Sequence, residues 1–433
     1  MNVRKFHNNI KRSLINEHMK KKQTQTSRLL DLACGRGGDI HKWINCGISD
    51  VLAVDGDYGA IEEAQKRYAS VHAPIHIDFL HADISAKSTS DRITQSAKLL
   101  MNTDRACQFD MVSMFFALQY FVENDKELHA LVKLVERNLK PGGFFIGASP
   151  RERNILNLVS ESGDRLSYSS DELKLGVMGN KCHFWVDLGQ ESYFEEFGES
   201  SEYLVNMSQL RTVCEQHGLE CRRVQDFEEL GIPPDVTGEM RKFSKLYCSW
   251  VFYKPVQTIY FPSRPSPFRI SDLLIEQHDM PMVTKPYEAQ RIKRAIRTYA
   301  GDKRLRDISI MDATAGVGGD TINFSEIFRH VVSVEQDPER FQRLRHNIAQ
   351  YRLDNVTTVN GNCIDTFETY SSKGTGRIRC GVLYVDAPWF TKAANGEIGL
   401  GNSDIVSIAR QALQARMFSL VILKVPFYHS FVL

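Results

Sequence analysis

Two glycine-rich segments contain the residues whose types and spacing are best suited to chemistry. Residues 29–40 read LLDLACGRGGDI and residues 310–321 read IMDATAGVGGDT. In each segment an apolar run leads into the glycines, which predicts a strand that ends in a tight loop. Glycine tolerates the unusual dihedrals of such a loop and the close approach of a ligand. The positions that the two segments share are Asp31 and Asp312, Gly35 and Gly316, Gly37 and Gly318, Gly38 and Gly319, and Asp39 and Asp320.

An acidic residue follows each loop at similar spacing, Asp55 in VLAVD and Glu335 in VVSVE. A carboxylate at the end of a second strand can accept both hydroxyls of a ribose, so the pattern predicts a nucleoside-binding half-site that occurs twice. A dinucleotide site would read G-x-G-x-x-G, whereas these loops read CGRGGD and AGVGGD. They resemble the S-adenosylmethionine loop of Rossmann-type methyltransferases. The alternative is a nucleotide-binding fold that serves only as a scaffold.

Length and composition indicate an ordinary globular protein with two domains. The chain has 433 residues, which is long for one core. Its formal net charge is +1, so any surface that binds nucleic acid must be local. The amino-terminal segment is such a candidate, and the alternative of equal weight is a solvated helix face. Its basic residues are Lys5, Lys11, Arg12, Lys20, Lys21, Lys22 and Arg28.

Cysteine usage and hydropathy indicate the cellular setting. The nine cysteines are scattered, without a C-x-x-C pair or a His/Cys cluster at zinc spacing. This favours a reduced, intracellular protein without a structural metal. No apolar run approaches the length of a membrane span, and the basic amino terminus lacks the apolar core of a signal peptide. We therefore expect a cytoplasmic protein without a membrane partner.

Strands alternate with helices along the whole chain, which predicts an α/β fold with a mostly parallel, doubly wound sheet in each half. An amphipathic helix over residues 1–26 opens the chain, with Phe6, Ile10, Leu14 and Ile15 on one face. The strands predicted in the first half are 29–33, 51–55, 75–81, 111–116, 144–148 and 246–253, and the helices are 39–45, 58–70, 127–138 and 207–218. The strands predicted in the second half are 308–312, 331–335, 356–360, 382–386 and 419–425, and the helices are 286–299, 321–328, 338–351 and 405–415.

Composition also divides the chain into domains. Residues 256–265 lie in a proline-rich stretch that predicts a stiff, extended linker between domains at 1–255 and 266–433. Residues 163–199, rich in Ser, Gly and aromatic side chains, are expected to shape a substrate pocket. The second domain has two strands fewer than a full methyltransferase sheet. We therefore expect either a fragment or a fold that closes differently.

Six motifs in order resemble the messenger-RNA cap guanine-N7 methyltransferases. They are FHNNIKRSLI, LLDLACGRGGDIHKW, AVDGDYGAIEEAQKRY, HADIS, FFALQYFVEN and KPGGFFI, and the resemblance covers roughly the first 255 residues. It implies that S-adenosylmethionine is the cofactor and that capped RNA, with a GpppN 5′ end, is the substrate. The cofactor contacts that it implies are Lys11, Asp31, Gly35, Asp55, Asp83 and Phe115.

The same resemblance implies a cap site. Arg36 would reach the cap phosphates, Tyr120 would lie beside both ligands, and Glu202 would recognise the guanine edge. The other implied cap contacts are His7, Asn8, Gln119 and Tyr247, of which His7 and Gln119 depart from the usual family residues. Guanine N7 carries a lone pair and no proton, so the reaction needs alignment rather than a base. Tyr120 and Glu202 are the candidate catalytic residues, because Glu202 would favour the cationic ring that forms.

The second half resembles trimethylguanosine synthase, which methylates N2 of an already N7-methylated cap. The resemblance rests on MDATAGVGGDTINF, VVSVEQDPERFQRLRHNI and LYVDAPW. It implies that Asp386 meets the target amine and that Trp389 stacks on the cationic guanine. The implied cofactor residues are Asp312, Gly316, Glu335 and Asp337, and Asn362 stands where a third-strand acid is expected.

Two alternatives remain open for the second domain. Asp386 followed by Lys424 also suits a ribose 2′-O-methyltransferase with a Lys-Asp-Lys-Glu set, in which Lys285 is the first lysine and the glutamate would lie beyond Leu433. The second alternative is a non-catalytic domain that serves as a scaffold for RNA or for other capping subunits. Two methylation types in one chain would be typical of a large DNA virus that encodes its own capping enzymes.

Overall fold

The computed structural model describes residues 3–19, 27–103, 108–161, 167–170, 173–186, 200–264, 268–387, 398–400 and 403–425. The chain forms two compact units. The first comprises Met1–Pro255 with Ser263–Ser266, and the second comprises Val256–Pro262 with Pro267–Leu433. No helix of the described residues is long and apolar enough to cross a membrane.

The first unit is a seven-stranded sheet with helices, to which a small second sheet is added. Its helices are α1 (Val3–His18), α2 (Ile40–Asn45), α3 (Tyr58–Ala69), α4 (Thr89–Leu100), α5 (Asp125–Asn138), α6 (Glu152–Glu161), α7 (Met207–Gln216) and α8 (Gly238–Lys245). Its strands are β1 (Arg28–Leu32), β2 (Asp50–Asp55), β3 (His76–His81), β4 (Phe109–Phe115), β5 (Leu139–Pro150), β6 (Ser167–Ser169), β7 (Leu173–Met178), β8 (Lys181–Val186), β9 (Ser200–Tyr203), β10 (Glu220–Asp226) and β11 (Tyr247–Tyr253).

The large sheet has the order β10-β11-β5-β4-β1-β2-β3. The five strands from β5 to β3 pair in parallel, whereas β11 pairs antiparallel with β5 and with β10. Neighbouring residues of β1 enter different cores, Leu29 on one face and Leu30 on the other, because helices cover both faces. The predicted doubly wound parallel sheet is therefore confirmed, and the strand order reverses between β1 and β4. Ligands bind at such a reversal in open α/β sheets.

Helix α1 buries the face that its periodicity predicts. Phe6, Ile10, Leu14 and Ile15 are all buried, together with Val3. The helix ends at His18, earlier than the predicted boundary at residue 26, and residues 20–26 lie outside the described part of the chain.

Between α6 and α7 the described residues form an antiparallel sheet of order β6-β7-β8-β9. It includes the described part of the segment predicted to shape a substrate pocket, and it brings in Glu202 on β9. Helices α4, α6 and α8 and strand β10 were not predicted.

The second unit contains one five-stranded sheet and a two-stranded ribbon. Its helices are α9 (Pro286–Ala300), α10 (Asp302–Leu305), α11 (Gly319–Phe324), α12 (Pro338–Gln350), α13 (Cys363–Tyr370) and α14 (Ile405–Gln414). Its strands are β12 (Ser309–Asp312), β13 (His330–Glu335), β14 (Val356–Asn360), β15 (Cys380–Val385), β16 (Gly399–Leu400), β17 (Ser403–Asp404) and β18 (Leu420–Leu423). The main sheet has the order β14-β13-β12-β15-β18 and is parallel throughout. Its order reverses between β12 and β15, as it does between β1 and β4.

Part of the predicted linker packs inside the second unit instead of forming an exposed extended connection. Val256–Ile259 form a 3-10 turn, and Phe261 is buried in an apolar cluster with Ile270 and Leu344. The hydroxyl of Tyr351 donates a hydrogen bond to the carbonyl oxygen of Pro262. Burial of Phe261 outweighs the stiffness expected from the neighbouring prolines, so the segment belongs structurally to the second unit. The exact domain boundaries stay a prediction.

Candidate functional site

The first glycine loop follows β1 and is tied to the end of β2. Gly35 N donates to Asp55 Oδ2 at 2.7 Å, and Asp57 N donates to Asp55 Oδ1 at 2.9 Å. Gly35 and Gly37 have positive φ angles of 52° and 72°, which favour glycine. A carboxylate has about four acceptor positions, so Asp55 keeps acceptor capacity for a ligand after these two bonds.

Lys11 joins the opening helix to the same loop. Its Nζ lies 2.8 Å from Asp39 Oδ2 and 5.2 and 5.1 Å from the ring centroids of Phe115 and Phe116. Lys42 contacts the other oxygen of Asp39 at 2.7 Å. Burial by itself would raise the pKa of Asp39, but Lys11 and Lys42 hold that pKa below its usual value. Lys11 and Phe115 thus lie together beside the loop, and their contact with a cofactor stays a prediction.

Asp31 lies beneath the loop. It is 2 % exposed and accepts a hydrogen bond from the Ser113 hydroxyl on β4. Burial, followed by the charge of Asp39, raises the pKa of Asp31 to about 7. A direct contact with a cofactor would require this side chain to move. The structure therefore favours a supporting role under the loop, and the predicted contact remains a prediction.

Asp83 and Arg36 lie at the surface of this region. Asp83 is exposed, and its Oδ1 accepts a hydrogen bond from Ser85 N at 2.9 Å. Thr89 at the start of α4 donates its hydroxyl to the Asp83 carbonyl, so the residue also organises a turn. Arg36 projects from the loop, with its Nε 3.4 Å from Glu63 Oε2. Both predicted ligand contacts are thus accessible.

Tyr120 and Glu202 meet although 82 residues separate them in the sequence. The Tyr120 hydroxyl donates to Glu202 Oε1 at 3.1 Å. Glu202 is 4 % exposed, whereas Tyr120 is 49 % exposed. Burial and the Glu202 carboxylate raise the pKa of Tyr120, so its hydroxyl stays protonated as a donor. Gln119 beside it is buried and donates to the Phe116 carbonyl at 2.8 Å.

Two predicted cap residues, His7 and Tyr247, lie in a buried aromatic cluster. His7 is 2 % exposed, stacks on Phe116 at 5.6 Å between ring centroids, and shares a 3.1 Å hydrogen bond with the Ser244 hydroxyl. Burial, with a smaller effect of Lys11, lowers the pKa of His7 to about 3, so the ring is neutral. Tyr247 is also buried, and Asn8 is half-buried. His7 and Tyr247 are therefore enclosed by packed side chains and are not exposed to solvent.

The second glycine loop repeats the geometry of the first. Gly316 N donates to Glu335 Oε2 at 3.0 Å, and Asp337 N donates to Glu335 Oε1 at 2.8 Å. Gly316 and Gly318 have positive φ angles of 55° and 102°. Asp337 also caps α12 by accepting from Arg340 N at 2.7 Å, which lowers the pKa of Asp337. The predicted equivalence of the two loops is therefore borne out in their hydrogen bonds.

Asp386 follows β15 and belongs to a connected polar network. Lys424 Nζ lies 2.7 Å from Asp386 Oδ2 and 2.8 Å from the Thr284 hydroxyl. Thr284 in turn donates to Asp320 Oδ2 at 2.6 Å, and Tyr384 donates to the same oxygen at 3.1 Å. Burial, then the charge of Asp386, raises the pKa of Asp320 to about 6.

Asp312 resembles Asp31 in being enclosed. It is fully buried and accepts a hydrogen bond from the Thr321 hydroxyl at 2.7 Å. Burial, then Asp320, raises the pKa of Asp312 to about 8. Because the Asp312 side chain is buried, as that of Asp31 is, it would have to move to make the predicted contact with a cofactor.

A cavity of about 950 Å³ opens in the second unit at the reversal of strand order. Predicted residues that line it are Gly316, Glu335, Asp337, Asn362, Asp386, Lys285 and Lys424. Trp389 lies outside the described residues. Among the described residues, no group of three His, Cys, Asp or Glu side chains is arranged to hold a metal ion.

Sequence reasoning assigned no role to Asp39, Asp320 or Thr284. The first two recur at the same position of both glycine loops, and that recurrence was a signal available in the sequence. Thr284 carries no such signal, because its place beside Asp386 depends on a fold contact across 102 residues.

Comparison with known proteins gives the family. A sequence model of the mRNA (guanine-N(7))-methyltransferase domain matches residues 1–245, and one of the RNA cap guanine-N2 methyltransferase matches residues 308–393. The chain is 28 % identical over 256 residues to the mRNA cap guanine-N(7) methyltransferase of Eremothecium gossypii, covering 56 % of each protein. It is 29 % identical over 246 residues to that of Caenorhabditis briggsae, covering 52 % of this chain and 60 % of the relative. The chain thus spans little more than half the length of these relatives.

Among solved structures, a S-adenosylmethionine-dependent methyltransferase from Clostridium acetobutylicum is similar with a TM-score of 0.37 and 16 % identity. It covers 59 % of this chain and 93 % of that one. The model matched over residues 1–245 covers more than half of the 433 residues. The chain therefore belongs to the mRNA (guanine-N(7))-methyltransferase family.

Proposed function

We propose that the first unit transfers a methyl group from S-adenosylmethionine to N7 of the guanine at the 5′ cap of RNA. The observation that carries this proposal is the pair of Tyr120 and Glu202, joined at 3.1 Å. The pair combines an exposed aromatic ring with a buried carboxylate. Tyr120 follows β4, the strand adjacent to β1 and its glycine loop. A base held there would lie near a cofactor at the loop.

The residues around the first loop fit an adenosyl cofactor. A Cβ on Gly35 would meet no atom within 4 Å, so the space in front of the loop is open. Asp55 would accept the ribose hydroxyls through its remaining lone pairs, and Asp83 lies at the end of the next strand for the adenine. Lys11 would hold the carboxylate of the methionine part. When bound, S-adenosylmethionine supplies a methyl group that is already activated by its positive sulfur.

The protein contributes position and charge rather than proton transfer. Guanine N7 offers a lone pair, so no residue has to remove a proton from it, and alignment alone can lower the barrier by several kcal/mol. Glu202 would accept hydrogen bonds from guanine N1–H and the N2 amino group. Its negative charge would stabilise the cationic ring that forms. Tyr120 would hold the carboxylate in orientation, and Arg36 would contact the cap phosphates.

The buried cap candidates take indirect roles in this proposal. His7 and Tyr247 would form the wall that packs behind the guanine, with Asn8 and Gln119 at its edge. The neutral His7 ring avoids placing a positive charge beside a base that becomes cationic. The predicted cytoplasmic location, the viral origin and any contact with other capping subunits stay predictions.

The test is methyl transfer to capped RNA. The protein is incubated with unmethylated capped RNA and labelled S-adenosylmethionine, the product is digested, and the cap nucleotide is resolved. We expect labelled 7-methylguanosine, and its absence would contradict the proposal. Asp55→Ala should abolish this product while leaving any reaction of the second unit on caps already methylated at N7.

We propose that the second unit methylates the exocyclic N2 of the same guanine. The match over residues 308–393, described for RNA cap guanine-N2 methyltransferases, and the position of Asp386 after β15 support this role. Asp386 would accept a hydrogen bond from the amino group, which orients the nitrogen lone pair toward the methyl group. Trp389 would stack on the cationic guanine. Gly316 and Glu335 would hold the adenosyl part as their counterparts do in the first unit.

One observation favours a second candidate, ribose 2′-O-methyl transfer. Lys424 lies 2.7 Å from Asp386, and Lys285 lines the same cavity. A lysine beside a carboxylate can assist removal of a hydroxyl proton. RNA with an N7-methylated cap distinguishes the candidates, since the label appears either in N2-methylguanosine or in a 2′-O-methylnucleoside. A non-catalytic scaffold gives neither product, and Trp389→Ala should remove only the N2 product.

A further inference from the structure

We propose that the exposed face of α9 binds the phosphodiester backbone of the RNA that follows the cap. This face, called here the α9 face, consists of Tyr287, Arg291, Arg294, Arg297 and Thr298, all of which are exposed. At 3.6 residues per turn, these residues fall within an arc of about 120°. The proposal rests on the proposed function of the second unit, because it assumes that the cap guanine enters the cavity.

The charge of this region is concentrated and predominantly positive. Residues 285–306 contain eight Lys and Arg residues and two Asp and Glu residues, a formal charge of +6 in a chain whose total is +1. The two acids, Glu288 and Asp302, are not among the five residues of the α9 face. A basic patch in an otherwise balanced protein is the electrostatic footprint of a polyanion.

The opposite side of α9 packs against the unit, so the face is fixed in orientation. Ala289, Lys293 and Ile296 are buried. Lys293 Nζ contacts Glu326 Oε2 at 2.6 Å, which neutralises the buried cation inside the unit. The arginines on the other side therefore project from a rigid helix. Because the helix backbone is already ordered, binding of RNA to this face costs less conformational freedom than the ordering of a flexible tail.

An aromatic ring stands among the arginines. Tyr287 is 72 % exposed, and the guanidinium carbon of Arg291 lies 5.9 Å from its ring centroid. Exposed rings between cations are typical of proteins that bind single-stranded RNA, because bases stack on the rings while the cations meet phosphates. An acidic protein partner would explain the arginines but would not require the exposed ring.

The amino-terminal end of α9, next to the α9 face, lies at the cavity. Lys285, which immediately precedes α9, and Glu288 in its first turn both line the cavity that holds Asp386. A guanine in the cavity therefore places the rest of its RNA near the start of α9. The arginines from position 291 to position 297 continue for roughly 9 Å along the helix axis at 1.5 Å per residue. The geometry assigns the nucleotides after the cap to this face.

The test compares two neutralising triple variants of the full chain. One is Arg291→Gln with Arg294→Gln and Arg297→Gln, since glutamine keeps helix propensity. The matched control removes three other exposed arginines of the second unit, Arg345→Gln with Arg377→Gln and Arg379→Gln. Binding to a capped, N7-methylated RNA of about 25 nucleotides is measured by fluorescence anisotropy over a range of salt concentrations. The contribution of the first unit is the same in both variants.

We expect the RNA affinity of the α9 variant to depend less on salt concentration than that of the control variant. Each phosphate contact adds about 0.7 to the slope of log affinity against log salt, so three lost contacts reduce it by about 2. Equal slopes in the two variants would overturn the inference. Equal slopes are also what we would expect if the α9 face binds an acidic protein instead of RNA. If the triple variant unfolds, Arg291→Gln with Arg294→Gln should lower the slope by about 1.4, and an unchanged slope would again overturn it.

A second readout separates this inference from the proposed reaction. Methyl transfer by the second unit is compared on the long RNA and on the cap dinucleotide m7GpppA. The α9 variant should lower kcat/KM for the long RNA and leave the dinucleotide unchanged. If wild-type protein methylates neither substrate but the slope still falls in the α9 variant, the proposed reaction fails while the RNA face stands. Equal losses on both substrates would instead place these arginines at the cap itself and contradict the inference.

Discussion

The Glu202→Gln substitution tests the cap site most directly. Glu202 is 4 % exposed and accepts a 3.1 Å hydrogen bond from Tyr120, so its carboxylate has a defined orientation. Glutamine has nearly the same shape, and its amide oxygen can still accept from the Tyr120 hydroxyl. The variant is therefore expected to unfold at nearly the same temperature as the wild type. The loss falls on the guanine, because an amide NH₂ cannot accept from N1–H or the N2 amino group.

The magnitude follows from the type of contact. A hydrogen bond to a charged group contributes about 1.5–3 kcal/mol. At about 1.4 kcal/mol per factor of ten, the expected loss in kcat/KM for N7 methylation is roughly 10- to 150-fold. Loss of the negative charge near the ring that becomes cationic acts in the same direction.

The assay is a double-mutant cycle in which one change is made in the protein and the other in the substrate. N7 methylation is measured for wild-type and Glu202→Gln protein with guanine-capped RNA and with inosine-capped RNA, which lacks the N2 amino group. If Glu202 contacts that group, inosine should impair the wild type but have little further effect in the variant. Losses that simply multiply would refute the contact. Tyr120→Phe is the matched control, because it removes the orienting bond while keeping the carboxylate, and it should give a smaller loss.

Three further predictions concern the cofactor loops and the second unit. Asp55→Ala should weaken binding of S-adenosylhomocysteine by the first unit at least about tenfold in calorimetry, as two hydrogen bonds to the ribose are lost. The neighbouring surface variant Asp57→Ala should not weaken it, and equal effects would contradict the role of Asp55. Lys424→Met should lower methyl transfer by the second unit and move the pKa of Asp320 above its present value of about 6. Lys424→Arg should keep part of the activity. If Lys424→Met leaves both the rate and its pH profile unchanged, the polar network around Asp386 has no role in the reaction. Asp312→Asn should make the stability of the second unit less dependent on pH.

The sign of this last effect follows from burial. Burial raises the pKa of Asp312 to about 8, far above the value of about 3.9 in an unfolded chain. The folded state therefore binds the proton more tightly, and its contribution to stability is present below about pH 4 and is lost as pH rises to about 8. Thermal unfolding at pH 6 and pH 9 should show a larger fall in midpoint for the wild type than for Asp312→Asn. An equal fall in both proteins would show that Asp312 is ionised in the folded state.

Much of the scaffold could be predicted from local patterns. The strands that end at Asp55 and Glu335 and the amphipathic face of α1 followed from apolar periodicity and turn residues, which act over a few neighbouring residues. Helix α4 was missed because its sequence, TSDRITQSAKLL, contains few apolar residues. The prolines predicted an extended, exposed linker, because the sequence alone does not show that Phe261 is buried in the second unit.

The candidate sites divide in the same way. The glycine loops and the acids at the end of the next strand could be predicted from spacing alone, whereas the hydrogen bonds from Gly35 and Gly316 to those acids are a finding of the structure. The enclosure of His7 and Asp31 could not be predicted, because histidine is intermediate in its tendency to be buried and aspartate is mostly exposed. Their burial results from packing against β4, α8 and β11, segments distant in the sequence.

The sequence by itself determined the parallel sheets, the two glycine loops and the acids that close them, because each depends on residues close together in the chain. Only the tertiary structure decided that Glu202 reaches Tyr120, that Lys11 pairs with Asp39, and that Thr284 and Lys424 converge on Asp386. These contacts join segments from 28 to 140 residues apart. Their free energy comes from burial and charge pairing that exist only after the strands and helices have packed.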